Sequence, residues 1–180
     1  MSKTNKMVFT ALMASAAFTI AVVMKLIPFT KLGASGGSIS LAMLPIFIVG
    51  FTLGTKYGIL GGVVYAIINF FFDGYGYHWA SIIFDYLLAF GCLGICGLFK
   101  SKALKDNKPI NYLFFILGMI VPCIIRFMMH TIAGTLAWET PFVASMVYNA
   151  PYVFLSMLLC IIVGVLIYPQ LRKISSKYSK

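Results

Sequence analysis

RFMMHTIAGTLAWETPFVASMVYNAPY, residues 126–152, is the stretch on which the reading of this chain turns. It gathers a cation, an imidazole, acceptor-capable side chains and several aromatics into sequence that is otherwise almost wholly apolar. On a helix, Arg126, His130, Gly134 and Trp138 follow at steps of four, so they fall on one face, stacked turn above turn. That face is suited to a ring of polar contacts. The break between Trp138 and Phe142 then sends the chain back as a further helix, which carries Asn149.

The bulk composition says what surrounds this stretch. With 180 residues, 61% hydrophobic side chains, 10% charged ones and a mean hydropathy of +0.98, the chain lies outside the range of soluble domains and within that of polytopic membrane proteins. A formal net charge of +10 raises the question of nucleic acid. The basic residues, however, sit at segment ends and in one short link instead of forming a patch, so topology accounts for them and no nucleic-acid partner is expected.

The expected fold is all-α: one integral-membrane domain over residues 1–180, with six transmembrane helices at about 7–28, 39–54, 57–72, 80–99, 110–138 and 142–168. The first apolar run is read as helix one and not as a signal peptide, because hydrophobic sequence continues past the small residues Ala14-Ser15-Ala16. Ala11 and Ser15, with Ala14 and Ala17 offset by a turn, permit close helix approach. In helix two Pro45 is expected to bend the helix. Gly54, Gly58 and Gly62 read as packing contacts of helix three. Lys3, Lys6, Lys56, Lys100, Lys102, Lys105, Lys108, Arg172, Lys173, Lys177 and Lys180 collect on one side, against Lys25 and Lys31 on the other, so the positive-inside rule places both termini in the cytoplasm.

This topology fixes where polar groups meet. Asp85 lies about five residues into helix four, roughly 8 Å below the boundary, where a carboxylate marks a site by default. Helix five runs outward and helix six returns, so His130, Trp138 and Asn149 share the depth of Asp85. A carboxylate, an imidazole, an amide and an indole at one level describe a pocket open to the exterior. The competing reading is a buried structural ion pair between Arg126 and Asp85. His78 and Trp79, in the link DGYGYHW, read as part of an aromatic belt.

No metal site is expected, because the second histidine lies in a link and no second carboxylate is placed to join it. Cys92, Cys96, Cys123 and Cys160 count as small hydrophobes. Neither a P-loop nor a serine elbow nor a paired-carboxylate motif occurs, so the chain is not read as an enzyme. The absence of an internal repeat favours a binding subunit that works with others.

Four runs carry a family resemblance: GGSISLAMLPIFIVGFTLGTKYGILGG, the Asp85-Tyr86 pair in FDYLLAFGCLGICGLF, RFMMHTIAGTLAW, and SMVYNAPY. In order and spacing the chain resembles, over nearly its whole length, the thiamine-specific S component of energy-coupling factor (ECF) vitamin transporters. The resemblance implies a six-helix S-component bundle with thiamine as ligand and no cofactor. Partners would be a transmembrane T component and two cytoplasmic ATPase subunits, and the location the bacterial cell membrane. It implies ligand contacts from Asp85, Tyr86, His130, Gly134, Trp138 and Asn149, with Tyr75 and Tyr148 as further candidates, and a partner-docking face on helix one that includes Ala11 and Ser15. Ala144 stands where the family commonly has a tyrosine, and Gly36-Gly37 where some members have a tryptophan. An S component for the pyrimidine half of thiamine or for riboflavin, a membrane assembly protein without a small ligand, and a free-standing facilitator are the alternative readings.

Overall fold

A computed structural model describes residues 1–32, 37–74 and 78–178. In chain order they form α1 (Lys3–Lys25), a 3-10 turn (Pro28–Thr30), β1 (Lys31–Leu32), β2 (Gly37–Ser38), α2 (Met43–Leu53), α3 (Thr55–Asp73), α4 (Ser81–Ala103), α5 (Pro109–Trp138) and α6 (Phe142–Tyr178). The two short strands pair antiparallel, Lys31 with Ser38 and Leu32 with Gly37. Among the described residues, α1, α3, α4, α5 and α6 are long and apolar enough to cross a membrane. Phe29, Phe71, Phe72 and Leu166 stand exposed, as side chains do where lipid replaces water around them.

The sixth helix of the bundle, α2, is the core of the molecule. Its 11 residues rise only about 16 Å, too little to span a bilayer. Nine of them are buried, including Ile46, Phe47, Val49 and Phe51, and the helix packs against α1, α3, α4 and α6. Its last turn is closed from another element: Lys100 Nζ donates to the Thr52 carbonyl at 2.5 Å, a cation on the negative end of the helix dipole. Phe51 stacks on Phe115, which meets Tyr168, and Leu93 and Met119 fill the space around them.

The ends of four helices differ from the sequence expectation, α4 among them, which runs on to Ala103 instead of ending near 99. The first helix starts at Lys3, where the Ser2 hydroxyl accepts from the Asn5 N–H at 3.1 Å, and ends at Lys25 instead of near 28. The second starts at Met43 and not near 39, because Ser40 engages the chain otherwise. Its N–H donates to Ser156 Oγ, and its own Oγ accepts from the Ala42 N–H. Pro45 thereby falls in the first turn, where no N–H partner is required, so it helps to start α2 and does not bend it. The last helix runs past 168 to Tyr178, with Leu171 and Ser175 still buried. The Tyr168 hydroxyl donates to the carbonyls of Ala103 at 2.7 Å and Asp106 at 3.0 Å.

Glycines decide how closely α3 and α4 cross. A Cβ on Gly94 would fall on the backbone of Gly58 and Ile59, 2.7 Å from Ile59 Cα, and one on Gly62 would strike the Phe90 carbonyl. Gly58 and Gly62 are thus the packing contacts expected. Gly54 differs: its own Cβ position is open, its backbone carbon lies where a Cβ on Gly97 would fall, and its φ of 96° makes it the one-residue joint between α2 and α3.

Helix α4 is wound unevenly, π-helical over Ser81–Leu88 and 3-10 over Cys92–Phe99. The widened turn lies where Asp85 and Tyr86 both face inward. At the end of α5, Glu139 takes a left-handed conformation (φ 52°) and the Thr140 N–H closes on the Gly134 carbonyl at 3.2 Å. This reversal brings α6 back alongside α5.

Candidate functional site

Every helix contributes to one cavity of about 930 Å³, and each does so from the same end of the bundle. The C-terminal ends of α1, α3 and α5 supply Lys25, Asn69 and Trp138; the N-terminal ends of α2, α4 and α6 supply Met43, Asp85 and Asn149. An antiparallel bundle makes these termini neighbours, so residues far apart in sequence line one cavity, with Trp138 about two turns nearer the mouth than the His130–Asp85 contact.

The polar centre is a relay of side chains. The Ser81 hydroxyl donates to Asp85 Oδ2 at 2.9 Å, His130 Nδ1 meets Asp85 Oδ1 at 2.8 Å, and Arg126 Nε donates to His130 Nε2 at 3.2 Å. The Arg126 guanidinium lies over the Phe90 ring at 4.3 Å, where the π face offsets part of its charge. Asp85 and Arg126 are therefore joined through His130. No direct ion pair between them occurs among the described residues, so the buried Arg126–Asp85 pair weighed from the sequence gives way to a three-residue chain.

A second network occupies α6. Asn149 Nδ2 donates to the Ser145 carbonyl at 2.8 Å and to Ser145 Oγ at 3.2 Å, while Asn149 Oδ1 accepts from the Tyr152 hydroxyl. Ser145 Oγ donates in turn to the Thr131 carbonyl of α5 at 3.0 Å. A Cβ on Gly134 would collide with Ser145 Oγ, so the bare glycine is what lets α6 approach at this level. The Asn149 amide is buried, held by protein partners on both its oxygen and its nitrogen, and so presents a fixed orientation to whatever enters.

Asp85, Tyr86, His130, Gly134, Trp138, Tyr148 and Asn149 all line this cavity. Trp138, 54% exposed, stands at the mouth, whereas Tyr86 is buried with its ring edge-on to Phe70. Tyr148 lies beside Tyr152, ring centroids 6.0 Å apart. Tyr75 and Gly36 lie outside the described residues. Gly37 packs against the Tyr152 ring and lines the cavity from β2. His78 and Trp79 are exposed and do not line it.

Away from the cavity, Ala11 and Ser15 are exposed on the outward face of α1, while Ala14, Ala17 and Ala21 turn into the bundle. The small residues of this helix thus serve two different surfaces.

Sequence reasoning named neither Ser81, Tyr65 and Phe90 nor Ser145 and Tyr152 as lining residues, and took Arg126 only as a possible partner of Asp85. A signal for some of them was present. Ser81 stands four residues before Asp85, and Ser145 and Tyr152 stand four before and three after Asn149, the spacings of one helix face.

Asp85 and Arg126 bring opposite charges, the Phe90 and Tyr152 rings flank His130, and the amide and hydroxyl groups of α6 line the same cavity. Such a wall can hold a flat heterocycle carrying both a positive charge and hydrogen-bonding edges. Among the described residues no three His, Cys, Asp or Glu side chains converge to hold a metal.

Comparison with known proteins points the same way. The chain is 29% identical over 153 residues to the thiamine transporter ThiT of Bacillus subtilis (strain 168), covering 77% of this chain and 80% of that protein. Its fold superposes on that of ThiT from Listeria monocytogenes with a TM-score of 0.84, at 20% identity and covering 96% of this chain and 98% of that one. A structure of the S component of a bacterial ECF transporter shares the fold at a TM-score of 0.61 and 18% identity, with the same coverage. The family described as thiamine transporter protein (Thia_YuaJ) matches residues 7–176, and this chain, a multi-pass membrane protein, belongs to that family.

Proposed function

We propose that this protein is the thiamine-binding S component of an ECF-type importer, capturing the vitamin at the outer face for uptake driven by partner subunits. The observation that carries this reading is the single cavity to which all six helices contribute at one end, with Asp85, His130 and Trp138 on its wall. Thiamine joins a cationic thiazolium to an aminopyrimidine. The Asp85 carboxylate offsets the cation, Trp138 stacks on a flat ring, and Asn149 and Tyr152 offer groups to a pyrimidine edge.

The cavity faces outward in this proposal. Lys3, Lys6, Lys100, Lys102, Lys105, Lys108, Arg172 and Lys173 all belong to the opposite end of the bundle, which the positive-inside rule assigns to the cytoplasm together with both termini. Energy comes from outside the chain: a T component and two ATPase subunits are the partners, and the exposed Ala11 and Ser15 lie on a face of α1 that a partner helix can approach closely.

Titration of the purified chain in detergent with thiamine, its phosphates, the free pyrimidine and riboflavin, read by tryptophan fluorescence, tests the ligand. W79F leaves Trp138 as the reporter. Quenching that saturates with thiamine at far lower concentration than with riboflavin is expected; a preference for riboflavin overturns the assignment. Replacing Ala11 by Leu should leave binding unchanged and lower uptake in vesicles that also hold the partner subunits.

A further inference from the structure

Arg126 carries donors only, and this settles a question that the Asp85–His130 contact leaves open. Two descriptions of that 2.8 Å contact exist: an imidazolium paired with a carboxylate, or a neutral imidazole donating one N–H. In the first, His130 Nε2 would bear hydrogen and would face the Arg126 Nε–H at 3.2 Å, donor against donor. In the second, Nε2 is a bare lone pair that accepts from Arg126, and the ring hydrogen sits on Nδ1, directed at Asp85. Only the second satisfies both contacts.

We infer that Arg126 is a positioning residue of the binding site: it holds His130 as the neutral tautomer with hydrogen on Nδ1. Nη1 is fully enclosed and has no hydrogen-bond partner among the described residues, although Nε is bonded and the guanidinium plane is fixed on Phe90. Arg126 lines the same cavity as Asp85.

The consequence is a division of labour across the imidazole. Because His130 stays neutral, Asp85 keeps its full negative charge for a cationic group. An imidazolium in that place would cancel the charge at 2.8 Å. At the other end of the relay, Arg126 sets the tautomer and leaves recognition of the cation to Asp85.

The test uses the full-length protein with nitrogen-15-labelled histidine, in detergent. H78N removes the other histidine signal. In ligand-free, mildly acidic samples the expected spectrum of the Arg126 protein is that of a protonated Nδ1 and a bare Nε2; in R126M, Nε2 should acquire a proton. R126K keeps a cation with donors only near Phe90, so it should keep Nε2 bare and guards against a folding defect. Thiamine affinity should fall about tenfold or more in R126M under the same conditions, because an imidazolium then offsets the Asp85 charge. A protonated Nε2 in the parent, an unchanged ring in R126M, or affinity retained within about threefold in R126M overturns the inference. The affinity arm rests on the thiamine reading, whereas the ligand-free spectra do not, so failure of one is separable from failure of the other.

Discussion

Asp85→Asn isolates charge from shape at the centre of the site. Asp85 accepts two hydrogen bonds, from Ser81 at 2.9 Å and from His130 Nδ1 at 2.8 Å. An asparagine can keep both, with its oxygen accepting from His130 and its NH2 donating to Ser81 Oγ, so the fold should lose no more than about 1 kcal/mol. What disappears is the negative charge. A thiazolium whose charge centre lies about 5 Å from the carboxylate interacts with it by roughly 3 kcal/mol at an effective dielectric constant of about 20, the value suited to a side chain 23% exposed. That corresponds to a loss of about two orders of magnitude in thiamine affinity. Calorimetry on the purified variant, alongside its melting temperature without ligand, separates the two effects. The uncharged pyrimidine half of thiamine should show almost no loss with the same variant. D85N binding thiamine within about threefold of the parent, with unchanged melting, would refute the argument that this carboxylate recognises a cation.

Other perturbations probe different parts of the structure. Gly134→Ala drives a methyl into Ser145 Oγ and should cost about 1–3 kcal/mol as the Ser145–Thr131 bond breaks; pairing it with Ser145→Ala should restore part of the loss, which a double-mutant cycle on thermal unfolding would reveal. Gly94→Ala places its Cβ against the backbone of Gly58 and Ile59, so yield and melting temperature should both collapse, with no flexible side chain available to yield. Tyr152→Phe removes the donor to Asn149 Oδ1 and should weaken thiamine binding several-fold through a less firmly held amide, with about 1 kcal/mol off stability. Lys100→Met uncovers the Thr52 carbonyl at the opposite end and should lower stability by about 1 kcal/mol while leaving ligand affinity untouched.

Particular residues show how far the sequence reaches. Asp85 inside an apolar run, and the four-residue steps from Arg126 to Trp138, are local patterns, and each names a helix face without help from any other segment. The depth argument joining Asp85, His130, Trp138 and Asn149 needed only the direction of each helix and the distribution of lysines. Arg126 shows the limit. In sequence it is a cation that pairs with the nearest acid; in the bundle His130 comes between them, because α4 and α5 meet at an angle and register that no spacing encodes. The four-residue step to Asn149 puts Ser145 on one helix face with it, but the gap that Gly134 opens for Ser145 on another helix is not encoded in spacing.

Hydropathy, helix direction and the level of each polar group in the membrane follow from composition and period, which are properties of the chain taken segment by segment. The shortness and burial of α2, the uneven winding of α4 and the hydrogen-bond partner of every polar side chain in the cavity arise only once helices pack. In an apolar medium most surface residues are as greasy as core residues, so pattern alone cannot say which face of a helix meets a neighbour. Contact between small residues and satisfaction of buried polar groups decide it, and those are settled by all six helices at once.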